Sequence, residues 1–257
     1  MAFRRDTVAL PRVEMLDEVG STNEEAQRRA AGGELGPLWI ATRRQTGGKG
    51  RAGRVWKEAS VGNVAATLLF PPACPSARLP ELSLVAGVAA YDAIVGALPD
   101  IAASRVRLKW PNDVLIEGAK TSGILIESCN YGTSVVSLIG TGINVASAPA
   151  VVDRAVTCLS DHGCALSADA VLDLLVAHTA YWLDVWSAAD GFDAIREAWA
   201  KRGTEIGSPL EVKTGDGAVS GTFAGLDRDG ALLIDLPSVG RRKFTFGDVS
   251  VLSPQRS

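Results

Sequence analysis

Gln45-Thr46-Gly47-Gly48-Lys49-Gly50-Arg51-Ala52-Gly53-Arg54-Val55-Trp56 is the stretch on which the choice of fold turns. Its glycines let the backbone approach a ligand and present N–H groups, while its lysine and arginines neutralise phosphate or carboxylate charge. Read literally, Gly48, Gly50 and Gly53 form GxGxxG, and Val55 extends this to the kinase-type GxGxxGxV. A dinucleotide-binding fold needs a helix directly afterwards and an acid about twenty residues on. Here a second strand is expected over 61–70, and the proline-rich run at 71–75 occupies the acid's place. A kinase would need HRD and DFG, and a Walker-type loop would need glycine five residues before Gly48; none is present. What remains is a basic glycine loop between two strands, either an anion-binding loop or a solvated one.

The surrounding charge sharpens that choice. Residues 35–57 contain no acid but hold Arg43, Arg44, Lys49, Arg51, Arg54 and Lys57. The whole chain carries −3, so the remainder stands at about −9. An isolated basic segment in an acidic protein of pI about 5.5 suits a small anionic ligand better than an extended polyanion. With 257 residues, 47% apolar and 21% charged, the chain reads as an ordinary globular protein of one to two domains. No apolar run follows the charges of residues 1–7, so no export signal is expected. The uncharged stretch 128–152 is long enough to span a bilayer, but Gly132, Gly140, Gly142, Asn144 and Pro149 break it into strands and turns. Cys74, Cys129, Cys158 and Cys164 form no CxxC pair, which suits free thiols in a reducing cytoplasm. Cys158, His162 and Cys164 lie close in sequence, but C-x3-H-x-C is not a standard zinc spacing, and no structural metal is expected.

Working outward, Ser21-Thr22-Asn23-Glu24 opens a short helix that Gly32 and Gly33 close, with Ser21 and Thr22 both capping-box candidates. A strand is expected over 38–42. Leu84, Val88, Tyr91, Val95 and Leu98 mark an amphipathic helix that starts near Pro80 and ends near Pro99. Strands follow over 105–109, 114–117, 123–127 and 134–139, then a long helix over 168–186. After Gly203 the texture changes to short strands with Asp216-Gly217 and Asp229-Gly230 as turns, a small all-β barrel. Two domains are expected, 1–203 and 204–257.

A second chemical segment is Lys109-Trp110-Pro111-Asn112-Asp113, followed by Gly118 to Glu127 with Lys120 on the next turn. On residues alone, a tight hairpin with a solvated lysine and a carboxylate–lysine site are both open. Taken in order, Ser21-Thr22-Asn23, Gln45 with the basic glycine loop, KWPND, Lys120 with Gly-Ile-Leu, and Gly142-Ile143-Asn144 resemble the biotin–protein ligases, over nearly the whole chain. The departure is Lys49, where the family usually has arginine; charge is kept but the bidentate fork is lost.

The resemblance implies an α+β fold: a mixed-sheet catalytic domain like the class II aminoacyl-tRNA synthetase and biotin ligase cores, then a small SH3-like β domain. It implies two steps. Biotin's carboxylate attacks the α-phosphate of ATP to give biotinyl-5'-AMP and pyrophosphate, with Mg2+ accompanying ATP; a carrier-domain lysine then takes the biotinyl group. By resemblance Ser21, Thr22, Asn23 and Gln45 would line the ureido end of biotin, with Lys49, Gly50, Arg51, Lys120 and Gly123 along the rest. Arg51, Arg54, Trp56, Lys120 and Asn144 would hold the ATP or adenylate. Arg51, Lys120 and Asp113 would be catalytic, Asp113 serving either the metal or the acceptor lysine. The implied partner is a biotin carboxyl carrier protein or domain, without DNA or membrane, in a possible homodimer in the cytoplasm. Only twenty residues precede Ser21, too few for a winged helix-turn-helix. The rival readings are a lipoate–protein ligase and a biotin-sensing regulator without catalysis.

Overall fold

The computed structural model of the protein describes residues 10–57, 61–132, 134–151, 154–215, 217–237 and 239–252. The expectations for residues 1–7 and for Asp216 lie outside that set. The elements run β1 (Arg12–Val19), α1 (Thr22–Ala31), β2 (Leu38–Gln45), β3 (Val64–Phe70), α2 (Leu82–Ala97), α3 (Asp100–Ala103), β4 (Val106–Lys109), β5 (Asp113–Ile116), β6 (Ala119–Tyr131) and β7 (Ser134–Ile143). They continue with α4 (Ala168–Ser187), α5 (Gly191–Arg202), β8 (Pro209–Thr214), β9 (Gly217–Leu226), β10 (Leu232–Leu236), β11 (Gly240–Phe244) and β12 (Asp248–Val251).

The first seven strands form one sheet in the order β1-β2-β3-β7-β6-β5-β4. It is a mixed sheet: β1 and β2 are parallel, and every other pair is antiparallel. One face packs on α2, α4 and α5; α1 lies on the other, where Ala26 and Ala30 meet Leu38, Ile40, Leu69 and Leu138. The helix around Leu84 and Val88 is more deeply placed than an amphipathic pattern implies. Eleven of the 16 residues of α2 are buried, because the helix is held between the sheet and the α4–α5 layer. By length and apolar composition 76–97 could cross a membrane, but here it is a core helix.

The last five strands form an antiparallel sheet in the order β11-β10-β9-β8-β12. Its apolar face joins the same core: Leu210, Val212, Phe223, Leu232 and Ile234 are continuous with Trp110, Phe192 and Trp199. The junction is close. Gly230 has φ +80°, and a Cβ there would stand 2.7 Å from Leu84 Cδ1 and 3.0 Å from Phe192 Cζ. Asp229-Gly230 is the expected turn, with Gly230 seated against the core and Asp229 exposed beside Lys243.

Four elements escape the sequence reading, one of them the single turn α3. β1 and β12 are sheet edges with exposed and charged residues, so no continuous apolar pattern marks them. α5 did carry a signal, with Phe192, Ile195, Ala198 and Trp199 buried at helical spacing. The capping-box expectation is corrected: Ser21 is the N-cap, but its side chain makes no cap bond, and the Thr22 hydroxyl turns towards Gln45 and Thr67.

Candidate active site

Strand register builds the floor of the site. Residues paired across antiparallel strands share a face, so the side of the sheet that carries α1 can be read in rows. One row runs Leu38, Leu69, Leu138, Glu127; the next Ile40, Thr67, Gly140, Leu125; the third Thr42, Ala65, Gly142, Gly123. Helix α1 covers the apolar end of these rows. The glycine row has no side chains to fill the space above it, and the Trp56 ring lies there instead. A Cβ on Gly142 would be 2.6 Å from that ring, and one on Gly123 would be 2.9 Å from it and 3.0 Å from Lys120 Nζ. The absence of a side chain at both positions is therefore required by the close approach of Trp56.

Above this floor opens a cleft whose empty space, open solvent at its mouth included, is about 720 Å³. The structure brings together in its lining Ser21, Thr22, Asn23, Gln45, Lys49, Gly50, Arg51, Arg54, Trp56, Asp113, Lys120 and Gly123. Sequence reasoning missed Asn112, Gly140, Arg154 and Asp248 in the same wall. Asn112 and Gly140 lie beside or within the quoted motifs; Asp248 comes from the second sheet and has no local signal at all. Asn144 is not brought into the cleft. It is buried behind it, where its Nδ2 donates to Thr157 O at 3.1 Å and its backbone N–H to Thr121 O at 2.8 Å.

The basic loop has a defined shape. Gly50 N–H donates to Arg54 O at 2.7 Å and Trp56 N–H to Gly48 O at 2.9 Å, with Lys49 bridged to Val55. Gly47 N–H donates to Gly20 O at 2.6 Å, which brings the loop beside Ser21 and Thr22. Two of its three cations meet carboxylates: Lys49 with Glu24 at 2.6 Å, and Arg54 with Asp248. Arg51 is different. Its Nη1 donates to Asn112 Oδ1 at 3.2 Å, and among the described residues it has no carboxylate partner. Burial pulls its guanidinium pKa below the ordinary value, which Asp248 and Asp113 oppose from a distance.

The KWPND segment places its charge deeper. Asp113 is buried, with Oδ1 on Lys120 Nζ and Oδ2 3.0 Å from Lys109 Nζ. Burial alone would raise the Asp113 pKa, but the two ammonium groups hold it below the usual carboxylate value. For Lys120, burial is the largest influence and pulls its pKa below 10.5; Asp113 opposes this, while Arg154 and Lys109 add to it. Lys120 Nζ also lies 5.6 Å from the centre of the Trp56 ring, within cation–π range. Its backbone is clamped too, donating to Ala155 O at 2.9 Å and accepting from Thr157 N–H at 3.0 Å. Trp110 points away from the cleft, and its Nε1 donates to Gly230 O.

The opposite end is neutral and polar. Gln45 Oε1 accepts from Thr22 N–H at 2.9 Å, with Ser21, Thr22 and Asn23 all buried. The site thus grades from amides and hydroxyls at one end to three cations at the other, across a glycine floor. No group of three His, Cys, Asp or Glu side chains suited to a metal occurs among the described residues, including Cys158, His162 and Cys164.

Such a cleft, on a mixed sheet followed by a five-stranded module, has counterparts among solved structures. The biotin protein ligase of Aquifex aeolicus in complex with biotin and ATP superposes with a TM-score of 0.74 at 26% identity, covering 94% of this chain and 98% of that one. That of Leishmania major in complex with biotinyl-5-AMP gives 0.61 at 25% identity, over 95% and 100% of the two chains. Residues 25–144 match the Biotin/lipoate A/B protein ligase family and 206–252 the Biotin protein ligase C terminal domain. The biotin–[acetyl-CoA-carboxylase] ligase of Paracoccus denitrificans is 38% identical over 245 residues, 91% of this chain and 98% of its own. That of Mycobacterium tuberculosis is 31% identical over 234 residues, 87% and 83% of the two. The chain belongs to the biotin protein ligase family.

Proposed function

We propose that this protein activates biotin with ATP to biotinyl-5'-AMP and transfers the biotinyl group to a lysine of a carrier domain of acetyl-CoA carboxylase, in the cytoplasm. The observation that carries this reading is the graded cleft. A neutral ring with N–H and C=O groups fits the Ser21, Thr22, Asn23 and Gln45 end, the apolar chain fits against the Trp56 ring that rests on the glycine floor, and the carboxylate then reaches Arg51 and Lys120. A lipoate ring has no N–H or carbonyl to offer, so it would leave that buried polar end unpaired, at a cost of about 1–3 kcal/mol per group.

In the first step both reactants are anionic, and their repulsion is the main obstacle. Arg51 and Lys120 bring positive charge to the biotin carboxylate and the α-phosphate, where charge develops on the bridging and leaving oxygens. Carboxylate oxygen attacks phosphorus, and pyrophosphate leaves with the electron pair of the broken P–O bond. Lys49 and Gly50 close over biotin, and Arg54 and Trp56 serve the nucleotide. Mg2+ enters with ATP as part of the substrate. Asp113 has both oxygens occupied by Lys109 and Lys120, which suits a group that orients Lys120 better than a metal ligand. Asn144 supports the nucleotide side from behind the cleft wall rather than by lining it. In the second step the neutral amine of the carrier lysine attacks the mixed anhydride, AMP leaves, and the amine's proton is lost to solvent.

The test is transfer of labelled biotin to a carrier domain in the presence of ATP, by the wild type and by Lys120→Ala, with lipoate as the competing acid. Biotin transfer by the wild type, lost in the variant, supports the reading. Transfer of lipoate in preference to biotin overturns it.

A further inference from the structure

Behind the neutral end of the cleft lies a chain of hydrogen bonds that none of the site residues above explains. Asn23 Nδ2 donates to Glu127 Oε2 at 2.7 Å. Asn23 Oδ1 lies 2.6 Å from Thr67 Oγ1, and Thr67 Oγ1 lies 2.8 Å from Thr22 Oγ1. Thr67 is fully buried on β3, and neither it nor Glu127 lines the cleft. Register brings them together: Thr67 and Leu125 both pair with Gly140, and Glu127 is two residues further along β6. The missing side chain at Gly140 makes room for the Asn23 carboxamide, since a Cβ there would stand 2.2 Å from Asn23 Oδ1.

The proton count along this chain leaves no Thr22 proton over for the cleft. A carboxylate only accepts, so Glu127 holds the Asn23 NH2 towards itself and turns the carboxamide oxygen to Thr67. The single Thr67 proton must go to that oxygen, which cannot donate. The 2.8 Å contact between the two hydroxyls then needs the proton of Thr22, because two hydroxyl oxygens at that distance share one proton. Gln45 Oε1 accepts the Thr22 backbone N–H at 2.9 Å and lies 3.2 Å from the Thr22 hydroxyl, the one other protein acceptor within reach of that hydroxyl's proton among the described residues. The Thr22 hydroxyl therefore presents only lone pairs to the cleft.

We infer that Glu127 and Thr67 are positioning residues that set the hydrogen-bond polarity of the ureido end, making the Thr22 hydroxyl an acceptor for a ring N–H of the ligand. The inference rests on the biotin reading above. Replacing Glu127 by glutamine lets the chain run in either direction, because the new amide can donate to Asn23 Oδ1, turn the Asn23 NH2 to Thr67 and release the Thr22 proton, which an acceptor in the cleft can then draw away from Gln45 Oε1 at 3.2 Å.

The experiment is calorimetric binding of biotin, of ATP, and of cyclic carbamate analogues in which either ureido N–H is replaced by oxygen. It uses the full chain as wild type, E127Q, T67V and T67S. E127Q is expected to weaken biotin about threefold, T67V about tenfold, and T67S to recover most of the loss, with ATP binding unchanged. In E127Q the preference for biotin over a carbamate should shrink about tenfold, because Thr22 can then donate to the ring oxygen. A purely structural role would weaken both ligands together and leave that ratio unchanged, and such a result overturns the inference. Biotin affinities equal to wild type in both E127Q and T67V overturn it as well. A wild type that binds no biotin removes the underlying reading instead.

Discussion

The indole Nε1 of Trp110 donates to the carbonyl oxygen of Gly230 across 3.1 Å, in a buried contact between the two sheets. The motif that supplies Asp113 to the cleft therefore also fastens the C-terminal module, and the apolar core runs through the junction without a break. The chain is expected to melt in one calorimetric transition. Trp110→Phe keeps most of the packing but leaves the Gly230 carbonyl without this donor, lowering stability by about 2 kcal/mol, or about 4–8 °C in Tm for a chain this long. Gly230→Ala meets both Leu84 and an unfavourable positive φ, and should cost about 2–4 kcal/mol. Two separated transitions in the wild type would contradict the continuous core.

Lys120 is pulled below its ordinary pKa by burial, and the proposed chemistry needs its charge. Activity should therefore be present below that depressed value and be lost as pH rises through it, with an alkaline inflection in kcat/KM for biotin below 10.5. Lys120→Arg keeps a charge that does not titrate in this range, so any residual activity should show no such inflection. An identical alkaline limb in both proteins would assign the titration elsewhere.

Gly142 is expected to tolerate no side chain while Trp56 stays in place, because a Cβ would stand 2.6 Å from the ring. Gly142→Ala should displace the indole, change Trp fluorescence, and weaken biotin binding by about tenfold or more. The strand itself should survive, since alanine suits β structure at least as well as glycine. Unchanged fluorescence and affinity would show that the ring does not rest on this floor.

Asp248 and Arg51 should separate stability from catalysis. The Arg54–Asp248 pair is 46% exposed on both sides, so Asp248→Asn should change stability by less than about 1 kcal/mol. Among the described residues Arg51 has no carboxylate to release, and Arg51→Ala should lower biotinyl-5'-AMP formation by about 100-fold with little effect on Tm. Single-turnover adenylation and thermal melts measure the two together.

The loop is held by a few backbone hydrogen bonds and by exposed ion pairs at Lys49 and Arg54 that are weak in water, so it should open in the free protein more readily than the strands. Limited tryptic cleavage after Arg51 or Arg54 is expected without ligand and should be suppressed by biotin with ATP. Equal cleavage rates in both conditions would argue against closure over the adenylate.

Most of the architecture could be read from local patterns. The helix around Leu84 and Val88, the long helix from Ala168, the strands flanking Gly118 and the β texture after Gly203 each show their own period and punctuation. The site's inventory, a loop of glycine and cations, KWPND and a lysine on the next turn, is legible as residues, but its acid-activating chemistry enters only through the family resemblance those segments carry together. Local pattern fails where partners are set at a distance. Glu127 and Thr67 look like ordinary strand residues, Asp248 like a surface acid on a short edge strand, and Asn144 like part of a ligand motif, although its amide is directed to Thr157. Composition and spacing determined which chemistry this chain can hold, since residue type sets charge, proton count and backbone freedom. Only the tertiary structure decided which groups meet, because strand register chooses the face of every side chain, and the empty positions at Gly140 and Gly142 decide what can lie above them.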